Sequence, residues 1–460
     1  MKIIEQLVAH LVETEFDALP PKTVNDAKNR VIDTLGCLIA GTRARDWIMM
    51  VDLVRDWGGK PESTILPYGD RVPAHNAAMA NSVLSSAFDF DPLGPFVEGL
   101  YYPCHISSTT IPTAFAVAEQ KGLGGKELLT ALILGDDIAA RVLAASNYSA
   151  ASAWSSIGTV TIFGATATAG KLCGLETHQM TNAFGIMLDQ VAGSQGSLKE
   201  LTHGFKLQHG LASRGGILSA ELASRGWTGV KEPLLGEYGY FSLYSQTSRP
   251  EVLTRDLGRT FYADSTFKLF PCCLLNQAPT ACALELVQQH DVRAEDIAEI
   301  TVEVSPRVAS SSAIRPSLEF GEILQISAGF SLQYNVANAL LRRGVTLEHF
   351  TDTFIQDPEV NRLAGKIRMR ATKTAPEKPL AVTITVATKR GERLSASVDM
   401  PRGGPQSQPT TEEMRQKFRA NVAFSQTISA AQAEAVLTML EKLEQVDDIR
   451  EIFGLMAAPH

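Results

Sequence analysis

A pair of carboxylates, a histidine at a helix start and a lysine among aromatic rings are groups that could share one proton-transfer reaction. The segment Ala87-Phe88-Asp89-Phe90-Asp91-Pro92 sets Asp89 and Asp91 two residues apart between phenylalanines. The same pattern at the end of a small-residue helix also suits a plain turn or cap, because aspartate bonds its neighbouring backbone readily. Shortly after it, Pro103-Cys104-His105-Ile106-Ser107-Ser108-Thr109-Thr110 runs into a helix. Its hydroxyls read as N-caps, and the free N–H groups of a helix start would form an anion site next to His105. Lone histidines are more often structural than catalytic; this setting makes His105 an acid–base candidate. In Thr266-Phe267-Lys268-Leu269-Phe270-Pro271-Cys272-Cys273, Lys268 reads either as a snorkelling lysine or as a cation aimed into an interdomain cleft.

These groups match a definite chemistry. A proton next to a carboxylate is weakly acidic, so its removal needs a positioned base and cations on the carboxylate that takes up the charge. His105 would serve as base or acid, Lys268 would stabilise charge, and Asp89 would polarise His105 or hold a substrate hydroxyl. Lys206, His209 and Arg214 are further carboxylate binders, unless they lie on a solvated helix face. A phosphate loop is not among the motifs: five residues separate Gly164 from Gly170, and Leu172 stands where a magnesium-binding hydroxyl would be, so this stretch reads as helix packing. No Gly-x-Gly-x-x-Gly follows a strand, which leaves a dinucleotide fold unsupported.

The elements that must carry these residues fall into two groups. Apolar spacing predicts helices over 22–40, 76–88, 110–121, 125–145, 160–173, 178–192 and 209–226, several rich in small residues that let axes approach closely. Near residue 262 the pattern changes. Ile300, Val302 and Val304 alternate with polar residues, as do Ile367, Met369 and Ala371, and Val382, Ile384 and Val386, with a return strand from Leu394 to Val398. Helices are expected over 277–290 and 327–343, and the proline-rich 401–409 is a loop before a helical tail. The fold class is thus mainly α: a large helical domain of 1–262 plus 405–460, and a smaller α+β domain of 263–404.

Composition narrows the partners. The chain of 460 residues is 45% hydrophobic and 20% charged, with a net charge of −8 and no long basic run, so nucleic acid and acidic membranes are not expected. The start, Met1-Lys2-Ile3-Ile4-Glu5-Gln6, lacks the pattern of a secretion signal, and no uncharged stretch is long enough to span a bilayer. Six scattered cysteines without a Cys-x-x-Cys point to a reduced, cytoplasmic chain with no metal site.

The ordered stretches Val31-Ile32-Asp33-Thr34-Leu35-Gly36-Cys37, Asp89-Phe90-Asp91, His105-Ile106-Ser107-Ser108, Phe163-Gly164-Ala165, Leu207 to Gly216, Phe267 to Cys273 and Phe330-Ser331-Leu332 resemble the MmgE/PrpD family. That family includes 2-methylcitrate dehydratase, cis-aconitate decarboxylase and iminodisuccinate epimerase. The resemblance implies a helical domain with an α+β lid, a homodimer, no cofactor, and an active site built from Asp89, His105 and Lys268. Several positions depart from the family pattern. Pro92 replaces the last Asp of Asp-Phe-Asp-Asp, and Leu93 follows where the decarboxylase has Thr. Ser155 stands in Ala153-Trp154-Ser155 where a second histidine is usual, and Phe205 takes a lysine's place beside Lys206 and His209. No tyrosine lies near Ser310, where the decarboxylase has one. The expectation is a cofactor-independent lyase, a dehydratase of a small di- or tricarboxylic acid. Asp91, Ser155, Lys206, His209 and Cys273 are its expected substrate contacts. The alternatives are an epimerase or isomerase of a related acid and an inactive binding protein; decarboxylation is disfavoured by Leu93, Ser155 and the missing tyrosine.

Overall fold

A computed structural model describes residues 2–457 apart from 150–151, 246, 312–313, 315–319, 373–377 and 379. The fold is mainly α, with a smaller α+β region. Helices Ala74–Ser86, Ser107–Lys121, Gly125–Ala145, Ser156–Leu172 and Gly204–Ser224 pack into one body. Small residues explain how closely they approach. A Cβ at Gly164 would lie 2.9 Å from the Gly135 carbonyl oxygen, so the Gly164–Gly170 stretch is a helix contact.

A four-stranded sheet forms the centre of the α+β region, in the order Ile367–Ala371, Ile297–Val304, Val382–Thr388, Arg393–Val398. Ile300, Val302, Val304, Val382, Ile384 and Val386 are buried on one face, as their alternation requires, against helix Leu274–His290. The single helix expected over 327–343 is two, Leu324–Phe330 and Leu332–Arg342. Ser331 is extended between them, and its hydroxyl accepts the Tyr334 N–H at 3.1 Å, capping the second.

A second sheet was not expected. Leu93–Val97 pairs antiparallel with Leu100–Tyr101 on one side and with Asp264–Thr266 on the other. Leu93 lies opposite Thr266, so the chain leaving Asp91 is bonded to the chain entering Lys268. Gly94 N–H also donates to the Cys104 carbonyl at 2.8 Å, which brings in the segment carrying His105. Strands this short, with glycine and proline inside, leave no alternation to read.

We propose that the chain divides at 262/263 and 404/405. What supports the boundary is packing: helix Thr411–Ser425 lies on helix Pro21–Gly41, with Phe418 against Gly36 and the Lys417 ammonium 2.7 Å from the Asp33 carboxylate.

Candidate active site

The first aspartate ends a helix. Ala87 caps Ala74–Ser86, and Asp89 then turns the chain with φ of 51°, a left-handed conformation that aspartate tolerates better than most residues. The turn aims its carboxylate at two lysines. Lys206 of helix Gly204–Ser224 reaches one oxygen at 2.8 Å, and Lys268 reaches the other at 2.6 Å. Lys268 also donates to the Asp89 carbonyl at 2.5 Å. It is 1% exposed, so it neither snorkels nor projects freely into a cleft. Burial alone would push Asp89 up, but Lys206, Lys268 and His105 outweigh it and hold the carboxyl well below its ordinary value. Burial would lower Lys268, yet Asp89 and Asp91 more than offset that and raise it.

The second aspartate serves the histidine. Asp91 Oδ2 is 2.7 Å from His105 Nδ1 and accepts the Ser108 hydroxyl at 2.5 Å. Burial works against the charge on Asp91, but His105 and then the two lysines keep it well below the usual carboxylate range. A charged carboxylate at Nδ1 selects the Nδ1–H form of neutral imidazole and leaves the lone pair on Nε2. Nε2 lies 3.9 Å from Asp89 Oδ1, on the side of the cavity. Asp91 thus bonds to the imidazole at Nδ1, while Asp89 lies at the opposite ring nitrogen.

The Ser107 helix start differs from expectation in two ways. Its N-cap, Ile106, supplies no side-chain cap; Ser108 goes to Asp91, Thr109 to His209 Nδ1 at 3.2 Å, and Thr110 to Asp136 at 2.6 Å. The Ser107 N–H donates to Asp264 at 2.7 Å, so the anion site beside His105 is filled by the protein's own carboxylate.

A cavity of about 390 Å³ opens over this network, lined by Asp89, His105 and Lys268 together with Ser155 and Cys273. Ser155 also caps helix Ser156–Leu172 by accepting the Ile157 N–H at 3.3 Å. Burial, then Asp89, push the Cys273 thiol up to about 11, which leaves it a protonated wall group near neutral pH. Asp91, Lys206 and His209 are fully buried and do not line the cavity, so they are corrected from substrate contacts to supports. His209 packs edge-on against His105 with ring centroids 6.0 Å apart, and burial holds it well below the ordinary imidazole value. Arg214 lies elsewhere, stacked over Trp57 at 5.3 Å. Ligand atoms of Asp89, Asp91 and His105 lie within 4.8 Å of one another, a spacing a metal could use. A divalent cation there would sit against both lysine ammoniums, so the cluster fits an ion-pair network better than a metal.

The chain matches the MmgE/PrpD N-terminal domain over residues 5–253 and the MmgE/PrpD C-terminal domain over 270–445. It belongs to the MmgE/PrpD family. Cis-aconitate decarboxylase of Homo sapiens is 25% identical over 458 residues, covering 96% of this chain and 92% of that protein. Cis-aconitate decarboxylase of Aspergillus terreus is 25% identical over 471 residues, covering 96% and 93%. The Mus musculus protein of the same name is 24% identical over 455 residues, covering 95% and 89%.

Among the departures from the family pattern, Leu93, Ser155, Phe205 and Ser310 all face the same cavity. At the lysine position, Phe205 forms cavity wall while its neighbour Lys206, 4.3 Å from the Phe205 ring centroid, turns inward to Asp89. Tyr101, Tyr148 and Arg307 also line the cavity. Nothing in their local pattern marks them; the small sheet brings Tyr101 there, the turn after helix Gly125–Ala145 brings Tyr148, and the short helix Pro306–Ala309 brings Arg307.

Proposed function

We propose that the protein is a lyase acting on a small di- or tricarboxylic acid, and that the reaction is dehydration. The observation that carries this is the buried His105–Asp91 pair, at 2.7 Å, with His105 lining a cavity beside Asp89 and Lys268, and Lys206 bonded to Asp89 behind that wall. His105 Nε2 takes the proton from the carbon next to a substrate carboxylate. The imidazolium so formed is stabilised by Asp91 and returns that proton to the departing hydroxide on the same face. A double bond forms, the carbon–oxygen bond breaks, and water leaves.

Decarboxylation is the second reading, favoured by the relatives named above. There His105, protonated, would deliver a proton to the carbanion left by carbon dioxide. Epimerisation needs a second base across the substrate. Among the described residues the carboxylate that lines the cavity, Asp89, is held by two lysines, which argues against that role. The test is incubation of the full chain with malate, citrate and cis-aconitate. Dehydration gives ultraviolet absorbance from a conjugated double bond without carbon dioxide; decarboxylation gives carbon dioxide. Solvent deuterium at the α-carbon without net product would point to the epimerase. Tight binding with no exchange and no product would leave an inactive binding protein.

We also propose a cytoplasmic homodimer that needs no cofactor. The six cysteines are all free thiols, which suits a reducing compartment. Among the described residues, no helix is long and apolar enough to cross a membrane.

A further inference from the structure

The charges at the chemical end of the cavity cancel within the protein. Lys206 and Lys268 face Asp89, and Asp91 faces His105, so no ammonium remains for a substrate. A di- or tricarboxylate would carry at least two negative charges into this space, and buried charge without a partner is costly. Among the described residues, one further cation lines the cavity. Arg307 stands on the short helix Pro306–Ala309 of the lid, exposed, and no carboxylate pairs with it among the described residues.

Tyr101 lines the same cavity, and its hydroxyl is buried without a hydrogen-bond partner among the described residues. The ring is held there by the small sheet. Phe96 is its strand partner, and it lies so close over Gly94 that a Cβ at that position would meet its Cε2 at 2.0 Å. Burial, then Asp264, push the phenol well above its ordinary value, while the Arg307 charge works in the opposite direction, which places guanidinium and phenol within electrostatic reach. A buried O–H lacking an acceptor, in the same cavity as a guanidinium that no carboxylate pairs among the described residues, makes a set of donors suited to a carboxylate.

We propose that Arg307 and Tyr101 form the subsite for a second substrate carboxylate, the one remote from the reacting carbon. This rests on the lyase reading above and sharpens it: the substrate must carry a free carboxylate at its far end. Helical core and lid then each hold one end of the acid, and Arg307 sets specificity through the lid.

The experiment uses the full-length chain, its Arg307→Met, Arg307→Lys and Tyr101→Phe variants, and three acids: malate, citrate and cis-aconitate. Each acid is paired with methyl monoesters that mask one carboxylate. Binding is measured by calorimetry and turnover by KM and kcat. Wild type should prefer free acid to the ester masked at the far end. Arg307→Met should weaken binding of the acid about tenfold to hundredfold, mainly through KM, and leave that ester nearly unaffected. Arg307→Lys should recover part of the loss, and Tyr101→Phe should show a smaller loss of the same kind. An Arg307→Met variant that binds and turns over the acid like wild type overturns the subsite and leaves the lyase reading intact. Equal losses for acid and ester also overturn it. Wild type that binds acid over ester, with the preference gone in Arg307→Met but with no turnover, supports the subsite and overturns the lyase reading. Wild type that binds none of the acids overturns both.

Discussion

Asp89 is a carboxylate shared by two ammoniums, and the three side chains are all buried. Removing one cation takes away one of the two ammoniums that offset the burial of Asp89, a loss on the order of 3–5 kcal/mol. Lys268→Met should therefore unfold at clearly lower denaturant, beyond any effect on turnover. The double variant Asp89→Asn/Lys268→Met should lose less than the sum of the two single losses, because each single change already removes the Asp89–Lys268 contact. Chemical denaturation of the four species gives the coupling directly; additive losses would show that the pair is not a unit. The residue types of this site were legible in the sequence. Their assignments were legible only in part. Asp89 and Asp91 look alike at a spacing of two, and only the left-handed turn at Asp89 decides which meets the lysines and which meets His105.

The small sheet joins three segments of the site, and Gly94 is its tightest point. Gly94 has φ of 66°, and a Cβ there would meet the Tyr101 ring at 2.0 Å. Gly94→Ala should cost about 1–3 kcal/mol and disturb turnover, through backbone strain and displacement of Tyr101. Thermal melting and kinetics check this; a variant with native melting and rate would mean the strand tolerates the shift. The link between helices Pro21–Gly41 and Thr411–Ser425 can be tested by pH. Burial pushes Asp33 up to about 6 despite Lys417. Its folded value is raised above the ordinary unfolded one, about 3.9, so its favourable contribution is present below pH about 4 and lost as pH rises through about 6. The stability of Asp33→Asn relative to wild type should rise between those values, by on the order of 2–3 kcal/mol. A difference that is flat from pH 4 to 7 would contradict the assignment. Long helices and the alternating strands could be read from the sequence, because 3.6 and 2.0 periods persist over many residues. The strands at 93–97, 100–101 and 264–266 could not, being short and set by partners distant in sequence.

At the scale of the molecule, Met49, Leu53 and Trp57 lie exposed on helix Arg45–Trp57 and Leu211 and Leu218 on helix Gly204–Ser224, and Arg214 stacks over Trp57. Exposed apolar side chains on these two helices would suit the proposed second copy of the chain. Light scattering at micromolar concentration should give the mass of two chains, and Leu211→Asp/Leu218→Asp should give one. A single-chain mass for the wild type would refute the dimer.

The proposed proton carrier is His105, which lines the cavity together with Asp89 and Lys268. The most direct test is proton exchange in deuterium oxide with the acid that wild type turns over. His105→Gln should fold, bind that acid, and lose α-carbon deuterium exchange and turnover together by about 10²–10⁴-fold. Exchange and turnover at the wild-type rate in His105→Gln would contradict the account, and the proton would have to pass through another group.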